Sequence, residues 1–93
     1  MFSSYPDLKP SMLEKECSYQ EVVHFTELWS SYIIAGYGSE KNIPQETLYI
    51  QLQPFINASW WAQLLEMGIK EKTFEEVPGV IKAVANRFIT LFD

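Results

Sequence analysis

Glu21 and His24 are the residues of this chain whose types and spacing come nearest to a metal site. In the segment Glu21-Val22-Val23-His24 they have the Glu-x-x-His spacing with which helices present ligands to di-iron or di-manganese centres. Such a centre normally needs two of these pairs and two further glutamates, whereas the chain contains one histidine. A symmetric dimer would have to complete the site, so a metal-carboxylate protein stays an alternative and no metal or other cofactor is predicted.

Cys17 and His24 are a second combination, because a thiolate beside a base can act as a nucleophile. If one helix ran through both residues, they would lie ~10 Å apart along its axis. Hydrogen-bond reach is about 3 Å, so the pair cannot form a dyad unless the helix breaks between them. We therefore expect Cys17 to be a small apolar thiol near a helix junction.

Three other motifs have structural explanations. A phosphate-binding loop follows a strand, whereas a predicted helix precedes Gly36-Tyr37-Gly38, so these glycines indicate a helix end. Asn57-Ala58-Ser59 fits the glycosylation pattern, but without an export signal it is expected to cap a helix. The neighbouring acids Glu75 and Glu76 lie at a helix entry, where the helix dipole favours negative charge. The chain is therefore predicted not to be an enzyme.

The adjacent residues Trp60 and Trp61 are the strongest indication of function. Helical neighbours lie about 100° apart around the axis, so a narrow apolar stripe cannot hold both rings. One indole can anchor the core, and the other must face a second wall, which is either another helix or another molecule. Tryptophan is enriched at the centres of protein interfaces. The residues predicted to bind a partner are Trp60, Trp61, Leu65, Val23, Ile34 and Tyr37.

The composition argues against several classes of function. The chain has 93 residues, a net charge of −5 and seven Lys and Arg, which are scattered along it. Nucleic acids and anionic membrane surfaces both require a clustered basic face, so neither is a predicted partner. No run approaches the ~18 apolar residues of a membrane-spanning helix. The N-terminus lacks a secretory signal, and a single cysteine cannot form an internal disulfide, so a cytoplasmic location is expected.

Prolines, serines and the absence of periodicity predict an N-terminal arm over residues 1–10. A single helical domain is predicted over residues 11–93, where apolar residues are plentiful enough to build a core. The arm carries Phe2 and Tyr5. We expect these rings to fold back onto the domain, and contact with a neighbouring subunit is the alternative.

Two capping-box spacings predict the first helices of the domain. Ser11-Met12-Leu13-Glu14 predicts a short helix at about 11–16, and Ser18-Tyr19-Gln20-Glu21 predicts a main helix from about 18 to 35. Gly36 suits the left-handed residue that ends such a helix. The apolar stripe of the main helix consists of Val22, Phe25, Leu28, Trp29, Tyr32 and Ile33.

The residue pattern in the middle of the chain fits more than one kind of secondary structure. Asn42-Ile43-Pro44-Gln45 can open a helix, with asparagine as the cap and proline in the first turn. The sequence does not decide whether residues 47–53 form a helix or a strand. Leu48 and Leu52 have helical spacing, whereas Leu48, Ile50 and Leu52 alternate as in a strand. Pro54 is expected to end or kink the element.

The last third of the chain predicts two further helices. Asn57 or Ser59 caps the helix that holds both tryptophans, and Gly68 closes it. Thr73-Phe74-Glu75-Glu76 predicts a turn, after which the final helix begins at Pro78. The expected fold class is all-α, a compact bundle of four to five short helices.

These patterns predict a non-enzymatic module that binds a protein partner, as an adaptor, assembly factor or inhibitor would. A tryptophan-bearing apolar patch would supply affinity, and the surrounding carboxylates would steer a basic partner toward it. The partner could be a second copy of the chain, which would give a homodimer. Besides the metal-carboxylate dimer, the remaining alternative is an acidic mimic of nucleic acid.

Overall fold

The main helix, α1, spans Tyr19–Tyr37 and begins with the predicted capping box. The Oγ of Ser18 accepts a hydrogen bond from the N–H of Glu21, and Glu21 Oε1 accepts one from the N–H of Ser18. The computed structural model describes residues 8, 12–14 and 16–90, without the side chains of residues 89 and 90. Apart from Leu8, which packs against the core, the predicted arm lies outside the described residues.

α1 ends two residues later than predicted, because Gly38 and not Gly36 adopts the left-handed backbone conformation, with φ of 87°. The N–H of Gly38 donates to the carbonyl of Ile34 over 2.7 Å. Asn42 Nδ2 donates to the carbonyl of Tyr37 over 3.1 Å. A side chain five positions further along the chain thus satisfies a carbonyl that the helix end leaves open.

The predicted short helix at 11–16 is wrong in its described part, because Leu13 is extended and forms a parallel bridge with Ile56. Its N–H donates to the carbonyl of Phe55 over 3.0 Å, and its carbonyl accepts from the N–H of Asn57 over 2.8 Å. The Leu13 side chain is 1% exposed. A helix this short is marginal in water, so one buried leucine and two backbone hydrogen bonds are enough to override it. We call residues 12–14 the N-terminal segment.

The middle of the chain is helical, which settles the open choice at 47–53. Helix α2 spans Leu48–Leu52 and lies between the single 3₁₀ turns Gln45–Thr47 and Gln53–Phe55. Pro54 lies in the second of these turns, consistent with its predicted role in ending the element. The predicted helix opening at Asn42–Gln45 is wrong, because Pro44 precedes the first turn and the Asn42 side chain is committed to α1.

The helix with both tryptophans, α3, spans Ala58–Glu66, and its predicted cap and stop are confirmed. Asn57 Oδ1 accepts from the N–H of Ser59 over 2.9 Å. Gly68 takes the left-handed conformation with φ of 77°. A left-handed residue costs glycine little, since glycine lacks a Cβ. A 3₁₀ turn at Ile69–Glu71 follows.

The last helix, α4, spans Val77–Thr90 and begins one residue before the predicted Pro78. The predicted turn before it is capped by Glu76, whose Oε1 accepts from both the N–H and the hydroxyl of Thr73. Because these two bonds favour the ionised carboxylate, they lower the pKa of Glu76.

The predicted all-α bundle is confirmed for the described residues, in which α4 packs against both α1 and α3. Apolar side chains from every α-helix and from the N-terminal segment share one core. No helix in the described part of the chain is long and apolar enough to cross a membrane. The fully buried large side chains include Leu13, Phe25, Trp29, Ile33, Leu48, Leu52, Trp60, Leu64, Ile69 and Ile81.

Leu13→Ala is expected to destabilise the protein by about 2–5 kcal/mol, the usual cost of replacing a buried leucine by alanine. The substitution leaves the backbone bridge to Ile56 possible and removes the side chain from the core. Urea unfolding followed by circular dichroism measures the change. Leu65→Ala is the matched control, because Leu65 is exposed and should lose less than about 1 kcal/mol. Equal losses in the two variants would contradict the buried position of Leu13.

Candidate interaction surface

Helix α3 turns one tryptophan into the core. Trp60 and Leu64 lie one turn apart on the inner side of the helix, and Trp60 is 1% exposed. Its ring packs against that of Phe88 on α4, with centroids 5.3 Å apart and planes at 53°. Of the two tryptophans predicted to bind a partner, Trp60 is therefore the one that anchors the core, and the core already covers its surface.

Burial leaves the indole N–H of Trp60 without a hydrogen-bond partner among the described residues. A buried donor that forms no hydrogen bond costs about 1–3 kcal/mol relative to its hydrated state. Trp29 is equally buried, but its Nε1 donates to the carbonyl of Gln51 over 3.5 Å. The two core tryptophans are therefore equally buried, but the indole N–H of Trp29 has a hydrogen-bond acceptor and that of Trp60 has none among the described residues.

Trp61 and Leu65 lie one turn apart on the flank of α3 that is about 100° around the axis from Trp60 and Leu64. Trp61 is half-buried and packs against the core, whereas Leu65 is 41% exposed. Ala58 and Ala62 are exposed and lie on the same flank by helical spacing. We call this surface the outer face of α3, and it consists of Ala58, Trp61, Ala62 and Leu65.

The other predicted partner-binding residues lie on α1. Val23, Ile34 and Tyr37 are all half-buried, and Ile34 and Tyr37 pack against the core. The Tyr37 hydroxyl accepts a hydrogen bond from Gln51 Nε2 over 2.8 Å. Since α1 packs chiefly on α4, an extension of the outer face of α3 through these three residues stays a prediction.

Near the outer face of α3, a carboxylate lies close to the apolar residues and an arginine lies on the other side of the helix. Glu66 is the charged residue of α3 itself and is exposed beside Leu65. Arg87 approaches α3 from α4, where its Nη1 donates to Gln63 Oε1 over 2.8 Å. Because Gln63 lies about 160° around the helix from Leu65, this cation is on the far flank. The outer face therefore combines an apolar surface with a neighbouring carboxylate.

Glu21 is already used for helix capping, which weighs against the metal-carboxylate alternative. The backbone N–H of Ser18 and then its hydroxyl lower the pKa of Glu21 by hydrogen bonding to the carboxylate. His24 is exposed on α1. Within the described residues, no group of three or more His, Cys, Asp or Glu side chains is arranged to hold a metal ion.

Cys17 and His24 line the same cleft. The predicted separation along one helix does not apply, since α1 begins at Tyr19 and does not include Cys17. We call the shared cleft the α1 cleft, a cavity of about 280 Å³ between the N-terminal segment and the first turns of α1. Burial is the main reason that the pKa of the Cys17 thiol is raised. A thiol with a raised pKa is a poor nucleophile at neutral pH. The cleft is lined by Met12, Leu13, Cys17, Ser18, Gln20, Glu21, His24 and Phe25.

Two large apolar side chains that the sequence analysis did not single out are also exposed. Ile50 is 51% exposed on α2, and Tyr19 is 41% exposed at the start of α1. A helical assignment of α2 places Ile50 about 200° from Leu48, opposite the buried side. The exposure of Ile50 could therefore be predicted from the sequence only once residues 48–52 were assigned to a helix and not to a strand.

Comparison with known proteins gives no family assignment: no family model, no curated protein and no solved structure matches the chain. The function is therefore argued from the outer face of α3, the α1 cleft and the charges around them.

Trp60→Phe is expected to destabilise the protein by about 1 kcal/mol less than Trp29→Phe. Both substitutions remove the same atoms from the same core, but the first also removes an unpaired donor, and the second leaves the Gln51 carbonyl without its indole partner. Urea unfolding of the two variants measures the difference. A loss for Trp60→Phe equal to or greater than that for Trp29→Phe would show that the Trp60 N–H is satisfied in solution.

Glu21→Gln is expected to flatten the acid dependence of stability. The folded pKa of Glu21 is lowered, so its stabilisation is complete above the ordinary glutamate pKa and disappears as the pH falls through the lower folded value. The wild type should therefore lose more stability than Glu21→Gln as the pH falls from about 5 to about 2. Thermal melting over this range measures the effect. Glu46→Gln, an exposed site outside the capping boxes, should parallel the wild type.

Proposed function

We propose that this protein is a non-enzymatic interaction module that binds a protein partner through the outer face of α3. The observation that carries the proposal is the position of Trp61 and Leu65. They are neighbours on the side of α3 where Trp61 packs against the core with part of its ring and Leu65 is 41% exposed.

The composition of this face suits protein recognition. Trp61 can contribute part of a large ring whose other side is held by the core, so little side-chain entropy is lost on binding. Ala58 and Ala62 are small, which allows a partner's backbone to approach α3 closely. Single exposed apolar residues are common on any surface, whereas here three exposed apolar residues and the half-buried Trp61 share one flank of a nine-residue helix.

Charge favours a basic partner. The chain carries a net charge of −5, and Glu66 adjoins the exposed Leu65. Opposite charges accelerate encounter, and like charges across an interface are unfavourable. A basic protein therefore fits this face better than a second copy of the chain, and better than a nucleic acid. The role of adaptor, assembly factor or inhibitor follows from binding without catalysis.

Trp61→Ala combined with Leu65→Ala is expected to weaken partner capture by at least about tenfold while preserving the fold, since buried aromatic anchors dominate binding energy. Affinity purification from the native cell, with quantitative mass spectrometry, measures the captured protein, and sedimentation of the purified chain measures self-association. The matched control is Ile50→Ala, which removes a more exposed apolar side chain from another helix.

Capture that is lost in the α3 variant and retained in Ile50→Ala supports the outer face of α3 as the binding surface. Unchanged capture together with unchanged sedimentation in a folded α3 variant would refute the proposal. A dimer that dissociates in the α3 variant would show that the partner is a second copy.

A further inference from the structure

The α1 cleft is a concave surface to which no residue of α3 contributes. Its floor is apolar, because the fully buried Leu13 and Phe25 both contribute to it. Cys17 adds a neutral wall, with its Sγ donating to the carbonyl of Met12 over 3.5 Å. The volume of about 280 Å³ is at the lower end of the roughly 300–1,000 Å³ typical of pockets for drug-sized ligands, and it is large enough for a single side chain of a partner.

The rim of the α1 cleft is acidic. Glu21 lines it, and the exposed Glu14 and Glu16 lie within three positions of Cys17 in the chain. The backbone of Glu14 is bonded to Cys17, because its N–H donates to Cys17 Sγ over 3.5 Å and its carbonyl accepts from the N–H of Cys17 over 3.1 Å. Glu14 therefore starts at the wall of the cleft. None of the described residues that line the cleft is a lysine or an arginine. An apolar floor below a negative rim is complementary to a side chain with an apolar stem and a cationic head.

We propose that the α1 cleft receives an arginine side chain from a basic segment of a partner protein. The methylene stem lies on Leu13 and Cys17, and the guanidinium bonds to Glu21 and Glu14. Arginine suits this rim better than lysine, because its five donors in a planar fork can reach two carboxylates at once. The contacts of Glu21 with Ser18 use part of the acceptor capacity of its carboxylate, whose two oxygens have about four lone-pair sites, so some remain for the guanidinium.

Other occupants fit less well. A second copy would have to insert its one arginine, Arg87, which already donates to Gln63. A metal ion lacks a third ligand among the described side chains. The proposal is independent of the outer face of α3, because it requires none of the residues on that helix.

The test is a titration of the ¹⁵N-labelled chain with the peptide acetyl-Ala-Leu-Arg-Leu-Ala-amide, followed by amide chemical shifts. The comparison peptide replaces arginine by citrulline, which keeps the shape and removes the charge. We expect saturable shifts confined to residues 12–25 for the arginine peptide up to about 10 mM. We expect Glu14→Gln with Glu16→Gln to raise the Kd about threefold or more.

The control for that variant is Glu46→Gln with Glu75→Gln, which makes the same change in net charge at exposed sites that do not line the cleft. It should change the Kd by less than the cleft variant. The proposal is overturned by the absence of saturable shifts, by equal shifts with the citrulline peptide, or by shifts centred on α3. The citrulline comparison uses the wild-type chain, so it decides the question even if a variant fails to fold. The Trp61 and Leu65 variant should bind the arginine peptide normally, which separates this result from that for α3.

Discussion

The backbone bridge between Leu13 and Ile56 is the contact on which both proposed surfaces depend. Two backbone hydrogen bonds hold the N-terminal segment against residues 55–57, and the Leu13 side chain is buried in the core. One of these bonds comes from the N–H of Asn57, the residue whose side chain caps α3. The same contact therefore fixes the floor of the α1 cleft and the start of the helix that carries both tryptophans.

This arrangement links two surfaces that are distant in sequence. The α1 cleft exists because the N-terminal segment lies against the first turns of α1, and the outer face of α3 is oriented by the cap at Asn57. Both rely on Leu13 remaining in the core. Burial of a leucine contributes roughly 2 kcal/mol in area terms, to which the two backbone hydrogen bonds add. A local loss at this position would therefore affect both surfaces together.

The features that the sequence predicted are those set by near neighbours. The capping box of Ser18 and Glu21, the cap at Asn57 and the left-handed Gly68 each depend on residues within about four positions, so their spacing is visible in the chain. Leu13 shows the limit of this approach. Its capping-box context predicts a helix, but its partner Ile56 lies far along the chain, and no local pattern reports such a pairing.

For the candidate surface, too, local spacing predicted part of the arrangement and packing between helices decided the rest. Helical spacing predicted that Trp60 and Trp61 face different walls, and the structure buries Trp60 against Phe88. Spacing alone could not decide which indole turns inward, because that depends on where α4 packs. Gly36 and Gly38 present a similar choice, since both residues can end a helix. The choice is settled by Asn42, which reaches back to the carbonyl of Tyr37.

Two of the cations in the described part of the chain contact polar or aromatic neighbours. Arg87 is bonded to Gln63, and Lys70 Nζ lies 5.3 Å from the centre of the Tyr49 ring. Both cations are nevertheless exposed, as are Glu14, Glu16 and Glu66, so the excess of acids in the sequence is also present at the surface. Net negative charge weakens the compact state through self-repulsion. If the proposed partner is basic, its binding would relieve part of that repulsion and would stabilise the folded chain.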